Sequence, residues 1–177
     1  FEVYPQYSNY VETLIESNTI TEPSKIWWDI RPHHTFPTLE FRICDSCTKA
    51  DEAVSIAALV QALVAKMIQL RLKNQTWRKY RGSLINENKW RAIRGGVNSN
   101  LIDFGNQKEV PFIDLFDEML DFVDDVVEPL GSRKYLEYLR SMVKNGTSSD
   151  RQLNVFKKDN NIHDVVDSLI DETLDGC

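Results

Sequence analysis

The chain has 177 residues, 42% hydrophobic and 27% charged, a composition that suits one globular domain of ordinary size. Its net charge of -6 excludes a general attraction to nucleic acid or to an anionic membrane surface, so any bound anion has to be held by a local cluster of Arg or Lys. Three cysteines do not make a disulfide framework, and the simplest reading is a reduced, cytoplasmic setting.

The chain begins with Phe1 rather than Met, close to a helical pattern, and is expected to be part of a longer protein. Residues 4–15 place Tyr7, Tyr10, Val11, Leu14 and Ile15 at helical spacing. Residues 26–31 and 39–44 read as two strands joined by the loop 32–37. Thr48 followed by Asp51 and Glu52 reads as an N-cap with acids in the first turn. The helix that follows, to about residue 73, is apolar nearly all round at its start and is expected to be a buried core helix. Its longest apolar stretch, 53–65, is broken by Ser55 and Gln61 and falls short of the roughly 20 residues that span a bilayer. A helix over 83–94 ends at Gly95-Gly96, and 101–110 forms a β-like turn region centred on Gly105-Asn106. Pro111 opens a helix to about Val127, and further helices cover 132–145, 148–158 and 162–174. Strands first and helices afterwards give an α+β class.

Alternation along the strands sorts Ile26, Trp28 and Ile30 from Trp27, Asp29 and Arg31, and Leu39, Phe41 and Ile43 from Glu40 and Arg42. The apolar faces are expected to pack on helices. The charged faces, if the strands pair antiparallel, bring Arg31, Glu40 and Arg42 onto one surface opposite Trp28 and Phe41. Two readings follow. One is cross-strand salt bridging on a solvated sheet. The other is a floor for phosphate and a divalent metal, because guanidinium forks suit phosphoryl oxygens and Mg²⁺ prefers carboxylate oxygens.

Two stretches carry a family resemblance. WWDIRPHHTFPTLEFRICD, residues 27–45, and NENKWRAIRGGVNSNLID, residues 86–103, resemble the two signature blocks of the type 2 glutamate–cysteine ligase family, the carboxylate–amine ligases, in order and separation. His33, His34 and the Phe36-Pro37 pair depart from the family's usual loop, and Gly95-Gly96 stands where an aromatic–Gly pair is common. The resemblance implies the C-terminal part of a catalytic domain whose N-terminal half is absent. It also implies a glutamine-synthetase-like antiparallel sheet followed by a helical bundle. The activity it implies is ATP-dependent amide formation through an acyl phosphate, with glutamate and cysteine as substrates. On that pattern Glu40 is the Mg²⁺ ligand, and Arg31 and Arg42 are catalytic and ATP-binding residues. Asp29 orients Arg31, and Asn88, Arg91 and Arg94 are further phosphate or carboxylate contacts. For Arg91 and Arg94 a solvated helix edge is the competing reading. The implied partners are small molecules and the absent half. No nucleic acid and no membrane are expected, and a homo-oligomer is left open. The rival class is a non-catalytic α+β module that keeps the ligase fold.

Three other features carry less. Cys44 and Cys47 form a C-x-x-C that, with His33 and His34, has the residue types of a zinc site, but burial of both thiols and no bound zinc is the expectation. The acidic residues Asp114, Asp117, Glu118, Asp121, Asp124, Asp125 and Glu128 read as a solvated helix face over a stripe of Phe112, Leu115, Phe116, Met119, Val123 and Val126. The Trp77–Arg81 cluster mixes bases and aromatics, and its expected role is core anchoring.

Overall fold

The protein is described by a computed structural model covering residues 3–175. It divides into two compact units, one ending at Ser46 and the other starting at Cys47.

In the first unit, α1 (Tyr4–Glu16) carries Pro5 in its first turn, where a missing N–H costs nothing. Tyr7 and Val11, one turn apart, bury against Ile26, with Leu14, Ile20 and Trp28 packed around them. The Tyr7 hydroxyl donates to the Pro32 carbonyl at 3.0 Å and so ties α1 to β1 (Ile30–Pro32). This strand pairs antiparallel with β2 (Leu39–Phe41), and Arg31 stands opposite Glu40.

Both strands are shorter than the alternation predicts. The Arg31 guanidinium takes the carbonyls of Ser24 and Ile26, at 2.7 and 3.0 Å, so that segment's backbone is satisfied by a side chain rather than by a neighbouring strand. The apolar face is also less covered than expected. Ile26 is buried and Trp28 and Phe41 are half-buried, whereas Ile30, Leu39 and Ile43 are exposed.

The second unit is mainly helical. It contains α2 (Ala50–Leu72), α3 (Gly82–Gly95), the hairpin β3 (Asn100–Asp103) and β4 (Lys108–Pro111), α4 (Phe112–Val127), α5 (Arg133–Asn145), α6 (Ser148–Asp159) and α7 (Ile162–Leu174). The α+β class holds, but the β structure among the described residues is two separate two-stranded hairpins, the second of them inserted between helices. Gly96 ends α3 at φ 56°, a left-handed conformation that favours glycine. Asp103 shapes the β3–β4 turn by accepting from the backbone N–H of Gly105 and Asn106 at 2.8 and 3.2 Å.

The core joins three helices. Ala58 and Ala62 of α2 meet Phe116, Leu120, Val123, Val126 and Val127 of α4 and Leu136 and Leu139 of α5. Small residues on α2 let its backbone approach the others closely. The α4 stripe includes the expected Phe116, Val123 and Val126, and adds Leu120 and Val127. Part of the acidic face is engaged by cations: Lys66 meets Asp125 at 2.6 Å, and Arg133 meets Asp124 and Glu128, each at 2.6 Å.

Two expectations for α2 are overturned. Thr48 does not cap it. Lys49 occupies the cap position, and the Thr48 hydroxyl is bonded to that of Ser148 instead. Nor is the helix buried all round: Val54, Met67, Ile68 and Leu72 are exposed, Leu72 by 83%. The helix also runs 23 residues, which by length and composition would suffice to cross a membrane, so the shortness of its apolar part excludes nothing. Its inward face is nevertheless polar at one end, where Glu52 is buried beside Arg151 at 2.9 Å.

Trp77 does anchor to the core, edge-on to Phe122 at 4.7 Å, while remaining half exposed.

Candidate functional site

The first unit brings Arg31, Glu40 and Arg42 together. Arg31 is buried, held through Nη1 by the Ser24 and Ile26 carbonyls, and its Nη2 donates to Glu40 Oε2. Arg42 Nη1 donates to the other oxygen, Oε1, at 2.8 Å, and the Arg42 backbone N–H donates to the Asp29 carbonyl at 2.7 Å. The carboxylate therefore sits between two guanidiniums, one rigid and enclosed, the other half exposed. Arg42, and after it Arg31, hold the Glu40 carboxyl below the usual carboxylate range. A depressed carboxyl contributes stability above its unfolded pKa and loses it as pH falls through the folded value. The hairpin's ion pairs are thus expected to persist on acidification past the pH at which an unperturbed glutamate takes up its proton. An NMR titration of the Glu40 carboxyl checks this, and Glu40→Gln should remove that carboxyl's share of the acid-side loss.

Sequence reasoning did not find the carbonyls of Ser24 and Ile26, which are the groups seen to fix Arg31. Backbone acceptors leave no residue-type signal. The other surprise is His33, whose Nδ1 accepts from the N–H of Thr35 and Phe36 at 3.0 and 3.1 Å while its ring stacks on His34. The two imidazoles shape the loop between β1 and β2. Cys44 is exposed and Cys47 half-buried, so the expected burial of both thiols does not hold.

In the second unit, Asn88 and Arg91 work on the β3–β4 hairpin. Asn88 Nδ2 donates to the Ile102 carbonyl at 2.9 Å, and its Oδ1 accepts from the Ile102 N–H at 2.8 Å. Arg91 meets Glu87 at 3.0 Å and Glu109 of β4 at 3.1 Å. Glu87, and after it Glu109, raise the guanidinium further above its already high range. Arg94 lies over the Trp90 ring at 5.7 Å, a cation–π contact. Asn88→Ala should therefore destabilise the protein by about 1–3 kcal/mol, because it leaves a strand N–H and carbonyl without their partner. A urea midpoint that falls at constant slope checks this.

Two guanidiniums around one acceptor fit a phosphate or carboxylate. They do not by themselves fit Mg²⁺. Glu40 is a single carboxylate with both oxygens engaged by Arg, and among the described residues no three His, Cys, Asp or Glu side chains converge as ligands.

The matches to known proteins agree with these blocks. The model of glutamate–cysteine ligase family 2 matches residues 1–168. A Chloroflexus aggregans protein with the provisional name glutamate–cysteine ligase 2 is 51% identical over 176 residues, covering 99% of this chain and 45% of the relative. Proteins of the same provisional name from Solibacter usitatus and Roseiflexus castenholzii are 49% and 50% identical, each covering 99% of this chain and 46% of the relative. The chain belongs to the glutamate–cysteine ligase family 2. It spans just under half the length of these curated relatives.

Proposed function

We propose that this chain supplies the phosphate-facing part of an ATP-dependent carboxylate–amine ligase that joins glutamate to cysteine. The observation that supports it is the Arg31–Glu40–Arg42 cluster on a paired hairpin. In this reading Arg31 and Arg42 grip phosphate oxygens of ATP and stabilise the charge spread over them as the phosphoryl group moves to the glutamate γ-carboxylate. The amine of cysteine then displaces phosphate from the acyl phosphate. Glu40 holds both forks in register until the phosphate competes for them. Mg²⁺ belongs to the same reading, with Glu40 as one oxygen ligand. One carboxylate does not complete a hard-cation site, so the remaining ligands come from elsewhere in the full-length ligase.

Asn88 and Arg91, engaged with the β3–β4 hairpin, act in this reading by positioning rather than by touching phosphate. Arg94, whose described contact is the Trp90 ring, keeps its guanidinium edge for an anion. The non-catalytic alternative is favoured by the same cluster seen differently, as a closed salt bridge that needs no ligand.

The test mixes the chain with ATP, Mg²⁺, L-glutamate and L-cysteine and follows ADP release. The isolated chain is expected to be silent. Adding the N-terminal part of a family member in trans is expected to restore ADP release coupled to amide formation. Silence in both assays favours the non-catalytic module.

A further inference from the structure

A cleft in the helical unit is not used by this reading. It has a volume of about 580 Å³ and lies where the loop after α3, the first turn of α4 and the last turns of α5 meet. Its charged lining consists of Asp117, Arg140 and Lys144, and Val97, Phe112 and Val143 supply apolar wall.

The charges are incompletely matched. Arg140 contacts Asp117 through Nε at 3.1 Å, which leaves its two terminal nitrogens for another acceptor. Asp117 Oδ1 is covered by that guanidinium, whereas the side chain as a whole is half exposed, so its second oxygen is the one open to a ligand. Lys144 is exposed and, among the described residues, has no ion-pair or hydrogen-bond partner. The first turn of α4 has no side-chain cap, but its Phe112 N–H is taken by the Ser99 carbonyl at 3.0 Å and Asp114 lies in that turn, so the site's positive charge comes from the two cations. The cleft thus offers a cationic pair and, next to it, a carboxylate with one oxygen open to a ligand.

We propose that this cleft binds a small α-amino acid as its zwitterion. The α-carboxylate is held by Lys144 and the terminal nitrogens of Arg140, the α-ammonium by Asp117, and the side chain rests on Val97, Phe112 and Val143. A guanidinium fork suits a carboxylate better than a point charge does. The acid beside it distinguishes a zwitterion from a simple anion, because an anion gains nothing from Asp117. This site stands apart from the ligase reading: a chain with no turnover can still bind.

The experiment titrates the ¹⁵N-labelled chain with three related probes, L-valine, isovalerate and isobutylamine. The second lacks the ammonium and the third lacks the carboxylate. L-Valine is expected to shift the amides of Asn98, Ser99 and Ile113, and each truncated probe to bind at least about tenfold more weakly, a tenfold change being about 1.4 kcal/mol. Lys144→Gln, at an exposed position that breaks no contact, should weaken L-valine and isovalerate together. Asp117→Asn should weaken L-valine and spare isovalerate. Equal binding of L-valine and isovalerate overturns the proposal in favour of a plain carboxylate site. Absence of shifts in the wild-type chain, or affinities unchanged in Lys144→Gln, overturns it outright. The comparison among probes on the wild-type chain needs no variant to fold.

Discussion

If the proposed ligase reading holds, Arg42→Lys in the full-length protein is expected to lower the steady-state rate with ATP by at least ~10²-fold while leaving the fold intact, the loss typical of removing one electrostatic contact to developing charge. The fold is expected to survive because Arg42 is half exposed and its hairpin bond to Asp29 is made by the backbone, which Lys retains. The rate is expected to fall because Lys carries a compact charge on a flexible stem and lacks the planar fork that grips two phosphate oxygens. Arg31→Lys should behave differently. Arg31 is buried and bonded to two carbonyls as well as to Glu40, so Lys there disturbs the hairpin itself, and lowered rate should come with lowered melting temperature. Wild-type turnover in Arg42→Lys would reduce that residue to a salt-bridge partner.

The second large effect is on stability. Arg151→Met should destabilise the protein by about 3–5 kcal/mol, the cost of leaving a buried charge without its counterpart. Arg151, on α6, lies 2.9 Å from Glu52 on α2 and 2.9 Å from Glu172 on α7. Glu52 is only 2% exposed, so water cannot replace the lost guanidinium. The contact to Glu52 is close but poorly aligned for a hydrogen bond, which makes charge rather than directionality its main content. The double variant Glu52→Gln, Arg151→Met should recover much of the loss, since it removes the stranded charge. Denaturant unfolding of the single and double variants measures both effects. Equal losses in the two would show that Arg151 matters through packing alone.

How much of the fold and the site was legible depended on the kind of signal. Helix ends marked by Pro111 and Gly96 were readable because backbone φ preference, restricted in Pro and permissive in Gly, is a property of the residue itself. The pairing of Arg31 with Glu40 followed from period-2 alternation across a short loop. The length of the strands did not, because a guanidinium from Arg31 intercepts the Ser24 and Ile26 carbonyls, a competition invisible in residue spacing. The exposure of α2 was misread for a related reason. Apolar composition tells that a surface avoids water, not which part of the chain covers it, and here the α4–α5 pair takes only the stripe through Ala58 and Ala62. Asn88 was picked out by its block, but its engagement with Ile102 depends on where a strand fourteen residues later comes to lie. The charged cleft at Lys144 gave no warning, since its three charges come from two helices whose approach is fixed by the core.

The modest core of the first unit has a kinetic meaning. Among the described residues, Tyr7, Val11 and Ile26 are its buried apolar side chains, and segments with few buried contacts open at low free energy. Amide protons around Arg31 and Arg42 should therefore exchange with deuterium much sooner than those of Val123 and Val127, which are fully buried in the other unit. A nucleotide that binds only the closed hairpin would raise the free energy of that opening by RT ln(1 + [L]/Kd) and so reduce the open population by the factor 1 + [L]/Kd. Deuterium uptake at these few amides thus turns a weak affinity into a readable rate, and does so without requiring any turnover.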